Sequence, residues 1–232
     1  MNEEAARNLF AKYGISLQSE QYRKLVRYAE LLKNEGSRQN VTAVDEVEAI
    51  WIRHFLDAVY LTKFLPEKST VIDIGTGGGI PGIPIAILRS DLKITLLDSE
   101  LRKIEFCRSV CTDLKLNTHT IAGRAEELAH DAAYREQFDC SVSRAMAAGN
   151  ILSELVLPFV RPGGKMIAMK GRNYTPEQER FESAAKALDA EPPVEMQYDL
   201  EGETKYLITV LKLRPTPAEY PRRFAKIKRD PL

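Results

Sequence analysis

Residues 71–82 read Val71-Ile72-Asp73-Ile74-Gly75-Thr76-Gly77-Gly78-Gly79-Ile80-Pro81-Gly82. A short apolar run with β-branched residues enters a glycine cluster, and a helix is expected to follow from residue 81. Glycines in such a loop permit positive φ and let the backbone approach a ligand without a Cβ in the way. Proline in the first helical turn costs nothing, because the N–H it lacks would have no helical partner. The helix start presents free amides to a polar or anionic group. Five glycines within residues 75–82 favour a ligand-binding loop over a plain tight turn.

Downstream, short apolar runs alternate with helical stretches. Strands are expected over 70–74, 93–97, 119–122, 138–142 and 165–169, with helices over 81–90, 100–116, 125–133 and 149–159. That rhythm predicts an α/β fold with a parallel sheet wound by right-handed crossovers. Residues 194–200 and 206–213, split by Glu201-Gly202-Glu203-Thr204, read as an antiparallel hairpin closing that sheet. Nicotinamide-binding Rossmann sheets usually stay parallel, so the hairpin is a topological clue. Upstream, helices are expected over 3–13, 18–34 and 46–64. In the second, Leu25, Tyr28, Ala29 and Leu32 recur at helical spacing. Asp45 with Glu48 resembles a capping box for the third. The expected division is a helical extension over 1–66 packed on the core, a core over 67–213 and a basic tail over 214–232.

The chain has 232 residues, 44% hydrophobic and 28% charged, enough apolar material for a full core. Thirty-three basic and thirty-three acidic side chains cancel, giving no bulk attraction to nucleic acid or membrane. Yet the last stretch carries Arg214, Arg222, Arg223, Lys226, Lys228 and Arg229 against Glu219 and Asp230, so it stands at +4 and the rest at −4. Apolar runs such as 83–88 fall far short of the ~20 residues of a membrane span. The first residues lack the pattern of a secretory signal. Three cysteines do not make a disulfide framework, and a reducing cytoplasm is the expected location.

Two cofactor classes fit the glycine loop. Gly77, Gly79 and Gly82 satisfy the dinucleotide pattern G-x-G-x-x-G, weak on its own. Asp73, Gly75, Gly77 and Gly79 satisfy D-x-G-x-G-x-G, seen in enzymes that use S-adenosylmethionine. Both cofactors carry a ribose, and both want a carboxylate at the end of the second strand, where Leu96-Leu97-Asp98 supplies one. Asp73 separates them: an acid there repels a pyrophosphate but suits the cationic amino end of a methionine moiety. S-adenosyl-L-methionine is favoured.

With these residues in hand, the chain resembles the RsmG (GidB) methyltransferases of bacterial 16S ribosomal RNA. The resemblance extends from about Tyr28 to the C-terminus. It rests on Asn40-Val41-Thr42, Arg53-His54-Phe55-Leu56-Asp57, the run from Asp73 to Pro84, and Leu96-Leu97-Asp98-Ser99. Gly123-Arg124-Ala125-Glu126-Glu127, Ser143-Arg144-Ala145, Lys170-Gly171 and Tyr220-Pro221-Arg222-Arg223 complete it. The R-H-F-L-D and S-R-A elements are its most specific parts. The resemblance implies a Rossmann-like class I methyltransferase fold: a mostly parallel seven-stranded sheet, a C-terminal antiparallel hairpin and extra N-terminal helices. It also implies transfer of methyl from S-adenosyl-L-methionine to ring nitrogen 7 of a guanine, position 527 in the 530 loop, with 16S ribosomal RNA or the small subunit as partner. Carried over, Gly75 and Ile80 line the cofactor pocket, Ala125 and Glu126 flank the adenine, and Arg144 reaches in from the fourth strand. Asp98, by the general logic above, takes the ribose, with Gly77 in the loop beside it. One departure stands out: many members carry a Trp-Asn pair where this chain has Glu35 and Gly36.

The chemistry agrees with a passive site. Nitrogen 7 of guanine has an in-plane lone pair and no hydrogen, so no base is required, and alignment is the main demand. No compact Ser/His/Asp or Cys/His constellation stands out, and the N/D-P-P-Y/F tetrapeptide of exocyclic-amine methylation is absent. Cys107 and Cys111 read as a buried helix face and Cys140 as core, so neither a metal site nor a cysteine nucleophile is expected. His54 and Asp57, with Arg53, are expected near the cofactor mouth. Arg222, Arg223 and Lys226 in the tail, with Lys170 and Arg172 in second rank, are the candidate phosphate contacts. A monomer is expected. The alternatives are a small-molecule methyltransferase on the same fold, a nicotinamide-dependent oxidoreductase and an RNA-binding module without activity.

Overall fold

A computed structural model describes residues 1–39, 47–176 and 180–232. Asp45 and the Asn40-Val41-Thr42 element lie outside the described residues. The chain opens with α1 (Glu3–Lys12), capped by the Asn2 side chain, and α2 (Ser19–Gln39), whose backbone carries Glu35 and Gly36. The expected helix over 46–64 is composite. It runs through α3 (Val47–Ile50), a π-helical turn over Trp51–Leu56, α4 (Asp57–Tyr60) and a 3-10 turn over Leu61–Phe64. The widened π turn buries Trp51, His54, Phe55 and Leu56 together.

The sheet follows: β1 (Thr70–Ile74), α5 (Gly82–Leu88), β2 (Lys93–Asp98), α6 (Leu101–Asp113), β3 (Thr118–Ala122), α7 (Ala125–Leu128), β4 (Phe138–Arg144) and α8 (Gly149–Val156). Then come β5 (Val160–Lys170), α9 (Phe181–Ala187), β6 (Val194–Leu200), β7 (Glu203–Leu211) and α10 (Phe224–Arg229). The strands form one sheet in the order β3-β2-β1-β4-β5-β7-β6. The first five are mutually parallel, and β7 runs antiparallel to both β5 and β6. The inner strands β1 and β2 are buried along nearly their whole length, which is why apolar residues dominate both.

Several boundaries differ from the sequence reading. β5 starts at Val160, because a register shift against β4 between Phe138 and Cys140 takes Pro162-Gly163-Gly164 into the strand. The helix expected over 125–133 stops at Leu128. The hairpin turn has two central residues rather than four, Glu201 (φ 48°) and Gly202 (φ 81°), the type I′ geometry whose twist suits paired strands. Tyr13 of the loop after α1 reaches that turn, donating its hydroxyl to the Glu201 carboxylate at 2.9 Å and accepting the Glu201 amide at 2.8 Å.

Alternation along β1 divides the core. Val71 packs into a cluster built by α1, α2, the 47–64 segment, α5 and α6, whereas Ile72 and Ile74 face α8, α9 and α10. Aromatic rings join α2 to the π-helical turn: Tyr28 stacks on Phe55 at 5.4 Å, Trp51 meets Phe55 edge-on at 5.4 Å, and Tyr22 stacks on Trp51 at 5.6 Å. Such pairs add about 0.5–1.5 kcal/mol each beyond the area they bury. Among the described residues no helix is long and apolar enough to cross a membrane.

Candidate active site

Strand order reverses at β1, between β2 and β4, and ligands of open α/β sheets gather beyond the strand tips at such a point. The glycine loop leaves β1 there, with Gly75, Gly77 and Gly79 at φ of 72°, 58° and 94°. Asp73 braces it from beneath. Its Oδ2 accepts the Thr76 hydroxyl at 2.6 Å and the Gly82 amide at 2.8 Å, while Oδ1 has no partner among the described residues. Complete burial pushes this carboxyl up to about 6, against the pull of those two hydrogen bonds. From the other side the buried Tyr28 donates to the Gly78 carbonyl at 2.5 Å.

Asp98, at the tip of β2, joins two loops: Oδ2 accepts the Gly77 amide at 2.9 Å and Oδ1 the Glu100 amide at 3.0 Å. An ionised carboxylate has about four acceptor sites, so capacity remains for a ligand's hydroxyls. Asp98 walls a cavity of about 270 Å³ with Gly75, Ala125, Glu126, Met146 and Phe224. Beside it, no atom lies within 4 Å of where a Cβ on Gly77 would stand. A carboxylate next to open backbone, backed by Leu97, Leu155 and Met146, fits a polar sugar joined to a flat heterocycle. A larger hollow of about 710 Å³ around Phe181 and Pro193 shares none of these residues.

Of the residues expected at the cofactor, Gly75, Asp98, Ala125 and Glu126 come together, with Gly77 tied to Asp98. Glu126 is ion-paired with Arg124. Ile80 sits buried at the foot of the loop, its amide donating to the Thr76 carbonyl at 3.0 Å, and does not line this cavity. Arg144 turns away to the π-helical turn. It donates to the Arg53 carbonyl at 2.8 Å and to His54 Nδ1 at 3.1 Å, and lies 3.6 Å from the Asp57 carboxylate. Tyr198 completes the group, donating to Asp57 Oδ1 at 2.9 Å and stacking on Tyr60 at 4.5 Å. A guanidinium only donates, so His54 Nδ1 accepts and the ring is neutral. Burial, followed by the charge of Arg144, holds His54 down to about 4. Asp57 is raised by burial against the opposing pull of Arg144. The R-H-F-L-D and S-R-A elements are one network, 90 residues apart in sequence.

Arg222 leaves the set of candidate phosphate contacts. Its side chain is 13% exposed and grips the fully buried Glu154 through Nε at 2.8 Å and Nη2 at 2.6 Å. A buried carboxylate demands a cation, and this one claims Arg222. Arg223 and Lys226 point to solvent. Lys170 donates to the Ala147 carbonyl at 2.8 Å, next to a groove of about 670 Å³ lined also by Arg53, Arg172, Glu203 and Lys205. Both Arg53 and Lys205 reach Glu203 at 3.0 Å. The three cysteines are free and buried, and burial pushes the Cys140 thiol up to about 11. Among the described residues no cluster of three His, Cys, Asp or Glu is placed to hold a metal.

Sequence reasoning missed Tyr28, Met146, Tyr198 and Phe224. Met146 directly follows the S-R-A element, and Phe224 is an aromatic ring set among tail cations, the two faint signals available.

A family model described as rRNA small subunit methyltransferase G matches residues 21–198. The chain belongs to the GidB family. Relatives named Ribosomal RNA small subunit methyltransferase G bear this out. The protein from Alkaliphilus oremlandii is 36% identical over 94% of this chain and 93% of its own. That from Clostridium botulinum is 39% identical over 94% and 93%. In three dimensions the fold is similar to a SAM dependent methyltransferase from Aquifex aeolicus, with a TM-score of 0.56 at 13% identity over 75% of this chain and 97% of that one. The GidB fold is thus the Rossmann-like methyltransferase architecture, with seven strands and a closing antiparallel hairpin.

Proposed function

We propose that this GidB-family chain methylates ring nitrogen 7 of a guanine in 16S ribosomal RNA, with S-adenosyl-L-methionine as methyl donor. The observation that carries the reading is the cavity at the strand tips, where the Asp98 carboxylate stands beside open glycine backbone. Bound there, the donor supplies an electrophilic sulfonium methyl. Asp98 would accept from the ribose hydroxyls, Ala125 and Glu126 would border the adenine, and the backbone of Gly75 and Gly77 would help hold the rest of the molecule. Nitrogen 7 would attack the methyl carbon with a lone pair that carries no proton, as the carbon–sulfur bond breaks and S-adenosylhomocysteine leaves, so the residues around it need only hold the two reactants in line and exclude water. Such alignment contributes about 7–11 kcal/mol in favourable cases. The buried, protonated thiols of Cys107 and Cys140 are unsuited to a covalent route.

The groove of Arg53, Lys170, Arg172 and Lys205 opens beside the Arg144 network and offers cations to RNA phosphates. Exposed Arg223 and Lys226 are further candidate phosphate contacts, Arg223 lying beside Glu126, Glu127 and His130 and outside that groove. Arg144 and Ile80 act from behind the cavity, by fixing the strand tip and the loop. Such an enzyme works where ribosomes are assembled, in the cytoplasm, and as a monomer. The test is incubation of small subunits or 16S RNA from cells lacking this protein with the purified chain and methyl-labelled donor, then mapping of the labelled base. Label on nitrogen 7 of one guanine supports the reading. Label on another atom or on a small molecule, or binding of a nicotinamide dinucleotide in place of the donor, overturns it.

A further inference from the structure

The last stretch of the chain is no loose cationic tail. Residues 216–232 fold back as a strap across α8 and the loops after β3. Thr216 and Tyr220 offer carbonyls to the Arg135 guanidinium at 2.7 and 2.9 Å, and the Pro221 carbonyl meets His130 Nε2 at 2.8 Å. Arg222 takes the buried Glu154 in a two-pronged grip and also donates its backbone amide to it at 2.8 Å. Beyond it Ile227 is wholly buried, and the Leu232 carbonyl accepts from Asn150 at 3.1 Å. A segment fixed at this many points has a determined position, and what it presents there is Phe224.

Phe224 is half-buried and forms one wall of the 270 Å³ cavity. The Arg124 guanidinium, which follows β3, lies 4.9 Å from its ring centroid. The ring therefore stands at the β3 side of the cavity, with Ala125 and Glu126, and not at the glycine loop. That is the end where the reading above puts the adenine, a flat base for which an aromatic face is a strong partner.

We infer that Phe224 is a ligand-binding wall for the adenine of the methyl donor, and that the Arg222–Glu154 pair is the latch that positions it. The inference rests on the donor-cavity reading, and its test keeps the two apart. Calorimetric titration of the full chain with S-adenosylhomocysteine compares wild type with Phe224→Ala, Phe224→Trp, Arg222→Lys and Asp98→Asn. Loss of one base–aromatic stack is expected to weaken binding by about tenfold in Phe224→Ala, and Phe224→Trp should recover all but about threefold of it. Arg222→Lys keeps the charge but loses the fork, and is expected to weaken binding a few-fold while Phe224 is still present. 5′-Methylthioadenosine, which keeps the adenosyl end alone, should lose the same factor in Phe224→Ala, and affinity for RNA should stay constant. Unchanged or tighter binding in Phe224→Ala, with weaker binding in Asp98→Asn, overturns the wall and leaves the cavity reading standing. Failure of Phe224→Trp to restore binding also overturns it. Wild-type affinity in both Phe224→Ala and Asp98→Asn overturns the cavity reading itself.

Discussion

Two buried side chains near the strand tips, His54 and Asp73, depart from their ordinary acidities in opposite directions. Asp73 is raised from an ordinary value of 3.8 to about 6, so the folded state holds its proton more tightly than the unfolded one. Its ionisation costs nothing below about 4, and costs progressively more as pH rises towards 6. His54 is lowered from 6.5 to about 4, so its burial costs nothing above 6.5 and more as pH falls towards 4. Each effect amounts to about 3 kcal/mol at most, and in the wild type the two largely offset across the same window. Urea unfolding at stepped pH should separate them. Asp73→Asn is expected to gain on wild type as pH rises from 4 to 6, and His54→Gln to gain as pH falls from 6.5 to 4. Differences that do not vary with pH would show that neither group titrates as its burial requires. Arg144 joins the same network, and removing it strands Asp57, which is 4% exposed. Arg144→Ala is therefore expected to lose about 3 kcal/mol of stability or more. A melting temperature equal to wild type would return Arg144 to a purely ligand-facing role.

At the scale of elements, what the sequence made legible follows from burial. Parallel strands covered on both faces are rich in apolar residues, so β1 and β2 announce themselves, β4 shows Phe138, Cys140 and Val142 in alternation with polar residues, and a glycine loop before a proline announces the turn. The π-helical turn does not, because one extra residue in a helix changes register and leaves composition untouched. The start of β5 hid behind Pro162-Gly163-Gly164, which local rules assign to a loop. α10 hid because Ile227 is its one wholly buried residue among four exposed ones, too little for a periodic signal. The hairpin was legible, but its turn was placed across four residues because Glu201 is an unusual occupant of positive φ. Gly202, at φ 81° with nothing within 4 Å of a built Cβ, isolates conformational strain from steric clash. Gly202→Ala should cost about 1–2 kcal/mol in urea unfolding. A cost near zero would mean the turn can change type without loss.

Over the whole molecule, a net charge of zero conceals a division of labour among cations. Composition could count the basic residues of the final stretch but not sort them, since the sorting depends on Glu154 being buried 68 residues away. Across the chain some cations are structural: Arg222 serves Glu154, and Lys212, fully buried, serves Glu136 and two carbonyls. Others, such as Arg172, face solvent at the groove rim. The two classes should part in one experiment. Arg172→Ala is expected to weaken RNA binding and reduce the slope of log affinity against log salt by about 1. Arg222→Ala is expected to lower the melting temperature and leave that slope alone. If both variants changed the slope equally, the ion pair to Glu154 would have to open on RNA.

The π-helical turn between Trp51 and Leu56 makes spacing itself a carrier of information. Deleting one residue there would restore an ordinary helix of nearly the same composition, while rotating everything beyond it by about 100°. Asp57 and Tyr60 would swing off Tyr198, and Arg144 would face a different carbonyl. A one-residue deletion in this segment is therefore expected to break the contacts of Asp57 with Arg144 and Tyr198 although all three side chains are retained, a loss that a lower melting temperature would register.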